Sequence, residues 1–351
     1  MPTTTTTTTT SPIDERAVDR WLADHVPGAQ PPFRYTLIAG GRSNLTFEAR
    51  AADGRRLVLR RPPLGQVLQS AHDVLREHRI VSALASTPVP VAPALAGCDD
   101  LAVTGAPFCV MEFVEGAVLR EVEDAERQYD EAHRARIGEA LVDVLADLHA
   151  VDPDAVGLGS LGRREAYVER QLRRWHAQFK GSKDQDVPAV DEAHRRLAER
   201  VPVQRRTTLV HGDFRIDNCL LGPDGGVRAV LDWELCTLGD PLADVGLLLM
   251  YWVDPGEDTA TVLTGTATAA PGFPDRAALA ARYAERSGAD ISDLDYYVAL
   301  ASWKLACVFD GIRARYAAGV MGDKDVLSVD TCRAQVQHLA QAALTHLERH
   351  P

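Results

Sequence analysis

Three polar residues flank a predicted β-hairpin at positions where their side chains could act together. Asp213 follows the apolar strand Thr208–Val210, and Asn218 comes five residues later, at the start of the hairpin. Asp232 follows the second strand, beyond the turn at Gly222–Gly226. Because the strands of a hairpin run antiparallel, the start of the first strand lies opposite the end of the second. We therefore expect Asn218 and Asp232 to meet, with the Asp213 carboxylate at the same end.

These residue types suit a magnesium ion beside a proton acceptor. Mg²⁺ prefers octahedral oxygen ligands, and proteins often supply one or two of them while phosphates and waters complete the shell. Asn218 and Asp232 fit that role, and Asp213 could accept the proton of an attacking hydroxyl. The spacing of His211, Asp213 and Asn218 is similar to that of the protein-kinase catalytic loop, in which the aspartate orients the hydroxyl and the asparagine holds a metal.

The alternative is that these residues only form turns, as a lone aspartate or asparagine in a loop usually does. The three residues together, with the hairpin between them, favour a catalytic site. The candidate catalytic residues are Asp213, His211 and Arg215, and the candidate metal ligands are Asn218 and Asp232.

A predicted three-stranded meander could supply a phosphate-binding turn. Its strands are expected over Tyr35–Ala39, Leu45–Ala49 and Arg56–Arg60. The first and third strands run in the same direction, so Arg60 should end beside the first turn. Glycine permits a close backbone approach, so N–H groups in this turn could bind ATP phosphates while Arg60 offsets their charge. A Gly-Gly turn alone is also common in ordinary hairpins. The candidate ATP-binding residues here are Gly40, Gly41, Ser43, Asn44 and Arg60.

A carboxylate on an apolar helix face is expected to pair with Arg60. The sequence predicts a helix over Ser70–Ala85, starting at a capping box formed by Ser70 and Asp73. Glu77 shares one face of it with Val74 and Leu84. A buried charge needs a partner, and Arg60 would reproduce the strand-cation to helix-glutamate pair of kinases. The alternative is that Glu77 lies in solvent at the edge of this face.

Composition describes an ordinary globular protein with 351 residues and a formal net charge of −12. Acidic proteins are repelled by phosphate-rich surfaces, which disfavours nucleic acid or a membrane surface as a partner. The longest apolar run, Val245–Val253, is shorter than the roughly 20 residues of a membrane span. Six scattered cysteines form no CxxC pair, and we expect a soluble, cytoplasmic protein.

The chain is expected to form an α+β fold with two lobes. Residues 1–12 are a threonine-rich tail that we predict to be disordered. Residues 13–114 contain a flanking helix over Ile13–His25, the meander and further strands, and we predict that they form a nucleotide-binding lobe. Residues 115–351 are predicted to form a larger, mainly helical lobe that binds the acceptor. Helices are expected around Ile137–Leu148 and over Tyr167–Phe179, Ala189–Arg200, Ala277–Ser287, Leu294–Ala317 and Val329–Leu347.

Several motifs together resemble the aminoglycoside phosphotransferase and choline kinase-like family from about Phe33 onward. They are Gly40-Gly-Arg-Ser-Asn44, Phe108-Cys-Val-Met-Glu-Phe113, Leu145-Ala-Asp-Leu-His149, His211-Gly-Asp213 with Asn218, Leu231-Asp-Trp-Glu234 and Gly239-Asp-Pro-Leu-Ala-Asp244. Within that group the chain is most similar to kinase-like domains fused to acyl-CoA dehydrogenases, through Leu57-Val-Leu-Arg-Arg-Pro-Pro63 and Tyr167-Val-Glu-Arg-Gln171 among others. Many kinases have lysine where this chain has Arg60 followed by Arg61, and strand alternation favours Arg60 as the inward cation.

The resemblance implies a protein-kinase-like fold with a small β-rich N-lobe. It assigns Asp213 as the base and Asn218 and Asp232 as magnesium ligands, and it implies that Asp240 and Asp244 support the catalytic loop, through His211 or Arg215. It also implies an adenine-binding hinge formed by Met111, Glu112, Phe113 and Val114.

The leading hypothesis is an ATP- and Mg²⁺-dependent phosphotransferase that moves the γ-phosphoryl group to a small-molecule hydroxyl. The resemblance suggests a hydroxyacyl-CoA, a hydroxy acid or an aminoglycoside-like compound as the acceptor. One alternative is a catalytically silent nucleotide-binding module. Protein phosphorylation is a further alternative, disfavoured because little room for an activation segment separates Asp232 from Asp244.

Overall fold

The meander predicted from the sequence is part of a five-stranded antiparallel sheet in a computed structural model of the chain, with strand order β1-β2-β3-β5-β4. The sheet and its helices are α1 (Glu15–His25), β1 (Phe33–Gly40), β2 (Leu45–Ala51), β3 (Arg56–Arg61), α2 (Val74–Leu84), β4 (Ala94–Cys98), α3 (Leu101–Thr104) and β5 (Phe108–Glu112). Leu45 pairs with both Gly40 and Arg61, which confirms that the third strand ends beside the first turn.

The structure describes residues 13–40, 44–63, 73–182, 187–257, 265–317 and 328–349. The predicted tail over residues 1–12 lies outside them. The chain divides into two compact units, one formed by Met1–Ala85 and Val91–Val114 and the other by Ser86–Pro90 and Glu115–Pro351. No helix among the described residues is both long enough and apolar enough to cross a membrane.

The two faces of the smaller unit's sheet carry different side chains because residues alternate along each strand. Leu57 and Leu59 of β3 are buried on one face, in a core that also contains Val18 and Leu22 of α1. Arg60 belongs to the opposite face, where its guanidinium reaches α2. The period-2 pattern of β3 therefore places aliphatic side chains against α1 and a cation against α2.

The larger unit is mainly helical, as predicted, and it contains two small antiparallel sheets, β6-β9 and β7-β8. Its helices are α4 (Val122–Gln128), α5 (Glu131–Ala150), α6 (Tyr167–Ser182), α7 (Pro188–Glu199), α8 (Leu242–Tyr251), α9 (Arg276–Ser287), α10 (Leu294–Ala317) and α11 (Val329–Arg349). Its strands are β6 (Thr208–Val210), β7 (Cys219–Leu221), β8 (Val227–Val230) and β9 (Thr237–Gly239). Three fully buried tryptophans, Trp233, Trp252 and Trp303, form part of its core.

Helix α2 begins later than predicted. Asp73 is its N-cap, accepting the Arg76 N–H at 2.9 Å, and the helix begins at Val74. The predicted start at Ser70 is therefore wrong, because aspartate satisfies the first free N–H groups three residues further along. Residues 70–72 themselves lie outside the described part of the chain.

Helix α8 packs against α10 at Gly246, where the two backbones approach closely. A Cβ atom at Gly246 would lie 2.5 Å from the Tyr297 carbonyl carbon, far inside normal contact. The atom it would meet is backbone, so it cannot move aside as a side-chain terminus can. Only glycine fits this position without separating the helices.

We expect Gly246→Ala to lower the free energy of unfolding by about 1–3 kcal/mol, the usual cost of overpacking a core. Gly181→Ala is the matched control, since nothing lies within 4 Å of a Cβ there, and better helix propensity should stabilise it by about 0.5 kcal/mol. Denaturant midpoints of both variants measure the difference. Equal midpoints would show that α8 and α10 adjust without cost.

Candidate active site

The β7-β8 hairpin brings the predicted metal ligands to one end. Cys219 pairs with Val230, and the Leu231 N–H donates to the Asn218 carbonyl at 2.8 Å. Asn218 therefore lies opposite Leu231, as hairpin geometry predicts, and Asp232 is the next residue. Asp232 adopts a left-handed conformation with φ 66° and ψ 59°. Aspartate tolerates this region better than most residues, and strained backbone of this kind is concentrated at functional sites.

Asp213 and Asn218 are in direct contact. The Asn218 Nδ2 donates to the Asp213 backbone carbonyl at 2.8 Å and to its Oδ2 at 3.0 Å. Both bonds use the amide nitrogen, so the amide oxygen of Asn218 is directed to the other side. That oxygen is the atom a hard cation would bind. The contact places a carboxylate and a candidate metal ligand side by side.

His211 is completely buried, and its imidazole holds the loop together. The Leu231 carbonyl only accepts hydrogen bonds, so the His211 Nε2 at 2.9 Å must carry the proton. Its Nδ1 then accepts the Asp213 N–H at 3.2 Å. The ring also packs edge-on against Trp233. With both nitrogens engaged, His211 positions Asp213 in this structure.

Arg215 joins the carboxylates of the loop to an aromatic ring. Its guanidinium lies 3.0 Å from the Asp217 Oδ2, 3.7 Å from the Asp213 Oδ2 and 4.8 Å from the Tyr251 ring centre. Burial by itself would lower the pKa of Arg215, but Tyr251, Asp217 and Asp213 raise it. Burial raises the pKa of Asp217, against the charge of Arg215. The arginine therefore offsets part of the negative charge around Asp213.

The loop backbone is fixed by Asp244, which is 1% exposed. Its carboxylate accepts the His211 N–H at 2.5 Å and the Gly212 N–H at 2.8 Å. Burial by itself would raise the pKa of Asp244, but the hydrogen bond with His149 and the nearby His211 and Gly212 outweigh it and lower the pKa. Asp244 thus supports the loop through His211, as the resemblance implies, using the backbone N–H.

Asp240 supports a different part of the unit. It accepts the Leu242 N–H at 3.0 Å, at the start of α8, and the Tyr297 hydroxyl at 2.8 Å. Burial raises the pKa of Asp240, although both hydrogen bonds oppose this. Its hydrogen bonds therefore hold α8 to α10, and neither His211 nor Arg215 is among its partners in the described residues.

In the smaller unit, Arg60 and Glu77 form the predicted ion pair. The Arg60 guanidinium lies 2.9 Å from the Glu77 Oε1, and Glu77 is 3% exposed. The alternative of a solvent-edge glutamate is therefore wrong. Arg61 points to the other face of the strand, is 1% exposed and donates to the Pro62 carbonyl. Strand alternation thus correctly predicted that Arg60, and not Arg61, pairs with Glu77.

Asn44 immediately precedes β2 and is 5% exposed. Among the described residues neither its Nδ2 nor its Oδ1 has a hydrogen-bond partner. Buried polar groups are nearly always hydrogen-bonded, so this amide is a candidate for contact with a ligand. Gly40 ends β1, whereas Gly41 and Ser43 lie outside the described residues.

The predicted hinge residues end β5 and follow it. The Glu112 N–H donates to the Pro93 carbonyl and the Phe113 N–H to the Arg56 carbonyl. The Phe113 ring lies 3.5 Å from the Arg56 guanidinium, while Met111 pairs with Val58 in the sheet. Met111, Glu112, Phe113 and Val114 are all partly exposed.

Sequence reasoning missed Lys304 and Tyr251. The Lys304 Nζ donates to the Gly212 carbonyl at 2.9 Å, and Tyr251 packs on Arg215. A lysine between Trp303 and Leu305 on an apolar helix was the available signal, because lysine is rarely buried without a partner. Nothing in the local sequence around Tyr251 indicates its neighbour.

The sheet unit with its Arg60–Glu77 pair and the helical unit with its His-Gly-Asp loop define a protein-kinase-like α+β fold. The sequence profile described as the phosphotransferase enzyme family matches residues 34–289. The chain belongs to this family.

Similarity to individual proteins agrees with the family. The chain is 34% identical over 326 residues to acyl-CoA dehydrogenase family member 10 of Mus musculus, covering 91% of this chain and 30% of that protein. It spans 30–43% of the length of the curated relatives it matches.

Two solved structures extend the comparison. The crystal structure of a putative aminoglycoside phosphotransferase from Ralstonia eutropha has a TM-score of 0.82 at 33% identity, covering 97% of this chain and 99% of that one. Choline kinase from Cryptosporidium parvum has a TM-score of 0.69 at 12% identity, covering 96% of this chain and 97% of that one, which is a likeness of fold alone.

We expect Asp244→Asn to destabilise the protein by about 1–3 kcal/mol at neutral pH, because one of two buried N–H groups would face an amide nitrogen. The folded pKa of Asp244 is lowered, so its contribution is present above the unfolded value of about 3.9 and is lost as the pH falls. The difference in the free energy of unfolding between Asp244→Asn and wild type should therefore become smaller below about pH 4.

The matched control is Asp275→Asn at the N-cap of α9, where asparagine caps equally well. Urea unfolding of wild type and both variants between pH 3 and pH 7 measures the differences in stability. A loss of stability no greater for Asp244→Asn than for Asp275→Asn would contradict the support role.

Proposed function

We propose that the chain is an ATP- and Mg²⁺-dependent phosphotransferase that moves the γ-phosphoryl group to a hydroxyl of a small molecule. The observation that carries this proposal is the hydrogen bond between Asn218 and Asp213. It lies at the open end of the β7-β8 hairpin, where Leu231 pairs with Asn218 and Asp232 is the next residue. Asp213 orients the attacking hydroxyl and accepts its proton. Positioning and charge stabilisation are the main requirements of phosphoryl transfer, and this arrangement supports the proposal because it provides a positioned carboxylate beside oxygen ligands for a metal.

The metal site would use two protein ligands. The described residues contain no group of three or more histidine, cysteine, aspartate or glutamate side chains placed to hold a metal. The Asn218 amide oxygen and the Asp232 carboxylate are both hard oxygen donors, which suits Mg²⁺ completed by phosphates and waters. When bound, the ion would offset phosphate charge. Arg215 keeps positive charge beside Asp213 whether or not the ion is present.

The smaller unit would bind the nucleotide. Arg60, held by Glu77, presents a positive charge near the end of β3, next to the turn that begins at Gly40. The buried amide of Asn44 could donate to and accept from a nucleotide. Leu37 and Ile38 of β1 are about half exposed, at 49% and 47%, and offer apolar surface for a base. Since the N–H groups of Glu112 and Phe113 are used within the unit, Val114 is the hinge donor we propose for adenine.

The acceptor would bind in a cavity of about 850 Å³ in the larger unit. Tyr251 lines this cavity and also packs on Arg215, which lies 3.7 Å from Asp213. The cavity is therefore linked to the proposed base through two side chains, Tyr251 and Arg215. Apolar side chains contributed by α10 and α11 form part of its lining: Val298, Leu305, Phe309 and Leu339.

The apolar wall of this cavity favours an amphipathic acceptor, and most of its acidic side chains already have partners. Four acids line it, but Asp254 and Glu257 pair with Arg276, and Asp295 pairs with His346. Asp275 is occupied in capping α9. Arg276 and Arg349 offset two of these four charges. The apolar wall suits the acyl part of a hydroxyacyl-CoA or of a hydroxy acid better than it suits a polycation such as an aminoglycoside-like compound.

The test of the proposed function is acceptor-dependent ADP release from MgATP by wild type and Asp213→Asn. The acceptor panel contains hydroxy acids, hydroxyacyl-CoA thioesters and aminoglycosides. Removing a positioned proton acceptor should reduce kcat by about 10²–10⁴-fold. The MgATP dissociation constant should stay within about twofold, because asparagine keeps the size of the side chain.

Undiminished turnover by Asp213→Asn would overturn the role of Asp213. Magnesium-dependent ATP binding by wild type without transfer to any acceptor would instead favour a silent nucleotide-binding module.

We expect Asp232→Asn to raise the Mg²⁺ concentration needed for half-maximal nucleotide binding by about tenfold or more, because one ligand charge is lost. Asparagine also tolerates the left-handed backbone of this position, so the loop should remain folded. Asp224→Asn at the exposed tip of the same hairpin is the matched control and should leave the Mg²⁺ dependence unchanged. Titration of nucleotide binding with Mg²⁺ measures both variants, and equal curves would rule out Asp232 as a ligand.

A further inference from the structure

Lys304 is a cation placed in the middle of a largely buried helix. It is partly buried and lies next to the buried Trp303 on α10, a helix of 24 residues on which Leu300, Ala301 and Cys307 are also buried. Lysine is rarely buried unless it is paired. Its ammonium donates a hydrogen bond outside the helix, to the Gly212 carbonyl at 2.9 Å, 92 residues away in sequence.

The carbonyl that Lys304 holds belongs to the peptide bond that precedes Asp213. The N–H of the same peptide group donates to the His211 Nδ1 at 3.2 Å. A peptide group is planar, so partners at its oxygen and at its nitrogen fix the whole plane. The orientation from which the Asp213 side chain extends is therefore set by Lys304 on one side and His211 on the other.

Glycine is required at the centre of this arrangement. Gly212 has a φ of 84°, and a Cβ there would lie 3.0 Å from the Leu235 carbonyl oxygen. Its N–H is held by Asp244 at 2.8 Å. Glycine can adopt a wider range of backbone φ and ψ angles than any other residue. Lys304 and Asp244 remove that freedom by holding the carbonyl and the N–H of the same residue.

The surroundings keep the ammonium in place. Its Nζ lies 5.6 Å from the centre of the Trp175 ring, within cation–π range. Burial lowers the pKa of Lys304, while the charges of Asp213 and Asp244 oppose that effect. A small cavity lined by Tyr167, Gln171 and Lys304 lies behind the loop.

We propose that Lys304 is a positioning residue that holds the Gly212–Asp213 peptide in the orientation that directs the Asp213 carboxylate to Asn218. This inference rests on the proposed function for its catalytic consequence, but its structural consequence is independent of turnover. Without Lys304 the Gly212 carbonyl loses its partner, and the loop regains the freedom of a left-handed glycine.

The first test is amide hydrogen exchange of the full chain, followed at His211, Gly212 and Asp213. All three N–H groups are hydrogen-bonded in the structure. Lys304→Met keeps length and apolar stem but removes the donor, and should raise their exchange by about tenfold, the effect of losing one hydrogen bond to a charged group. Lys304→Arg restores a donor and should stay within about threefold of wild type.

Arg315→Met is the matched control, because Arg315 is an exposed cation on the same helix. It should leave exchange of the three amides unchanged. Unchanged exchange in Lys304→Met would overturn the proposal. If Lys304→Met does not fold, Lys304→Gln takes its place, because its shorter amide cannot span the same distance, and the same two outcomes decide.

The second test separates positioning from general stabilisation. With an acceptor that supports turnover, Lys304→Met should reduce kcat by about 10–100-fold, because displacing a reacting group by about 1 Å has an effect of this size. The KM for ATP should stay within about twofold, and Lys304→Arg should recover most of the rate. A lower melting temperature with unchanged kcat would overturn the positioning role. Absence of any turnover by wild type would count against the proposed function, while amide exchange would still decide the role of Lys304.

Discussion

The buried carboxylate of Asp244 accepts two consecutive backbone N–H groups, and the geometry of the candidate site depends on that pair of bonds. A carboxylate that is 1% exposed is stable only when it is hydrogen-bonded. The backbone of the His-Gly-Asp loop must therefore keep the conformation in which its N–H groups point to Asp244. The same carboxylate contacts His149, which bonds the Tyr283 hydroxyl. One residue at the start of α8 thereby ties the loop to α5 and α9. Asp213 inherits its place from a side chain that never touches it.

Local charge balance in the larger unit differs from that of the whole chain. The formal net charge is −12, yet the carboxylates of Asp213 and Asp217 lie beside Arg215, and Lys304 lies on the opposite side of the loop. Nearby charges matter far more than distant exposed ones, which salt screens over about 10 Å. The net charge of the whole chain therefore does not describe the surroundings of the loop. Arg215 and Lys304 together offset the charges of Asp213 and Asp217, while the carboxylate of Asp244 is bound by backbone N–H groups. The charge of Asp232 is additional, and it is the one we propose for a divalent ion.

The parts of the site that the sequence could predict are those fixed by local periodicity. Hairpin register placed Asn218 opposite Leu231, and alternation along β3 with the helical face of α2 identified Arg60 and Glu77 as partners. Contacts between distant segments were not predictable. The apolar neighbours of Lys304 indicate that it needs a partner but not that the partner is Gly212, and nothing near Tyr251 indicates Arg215. It is equally hard to predict which of two neighbouring residues will be the N-cap of a helix. Ser70 and Asp73 both suit a helix start, and the structure uses Asp73.

The left-handed backbone of Asp232 limits which residues can replace it during evolution. Most side chains are strained in that conformation, whereas asparagine and glycine adopt it readily. The genetic code connects aspartate to each of them by one base change. The replacements that the fold accepts most easily are thus the ones that remove the charge. A descendant could lose the proposed metal ligand in a single mutational step while keeping its shape, so family members that retain the fold without the proposed reaction should arise readily by substitution of Asp232.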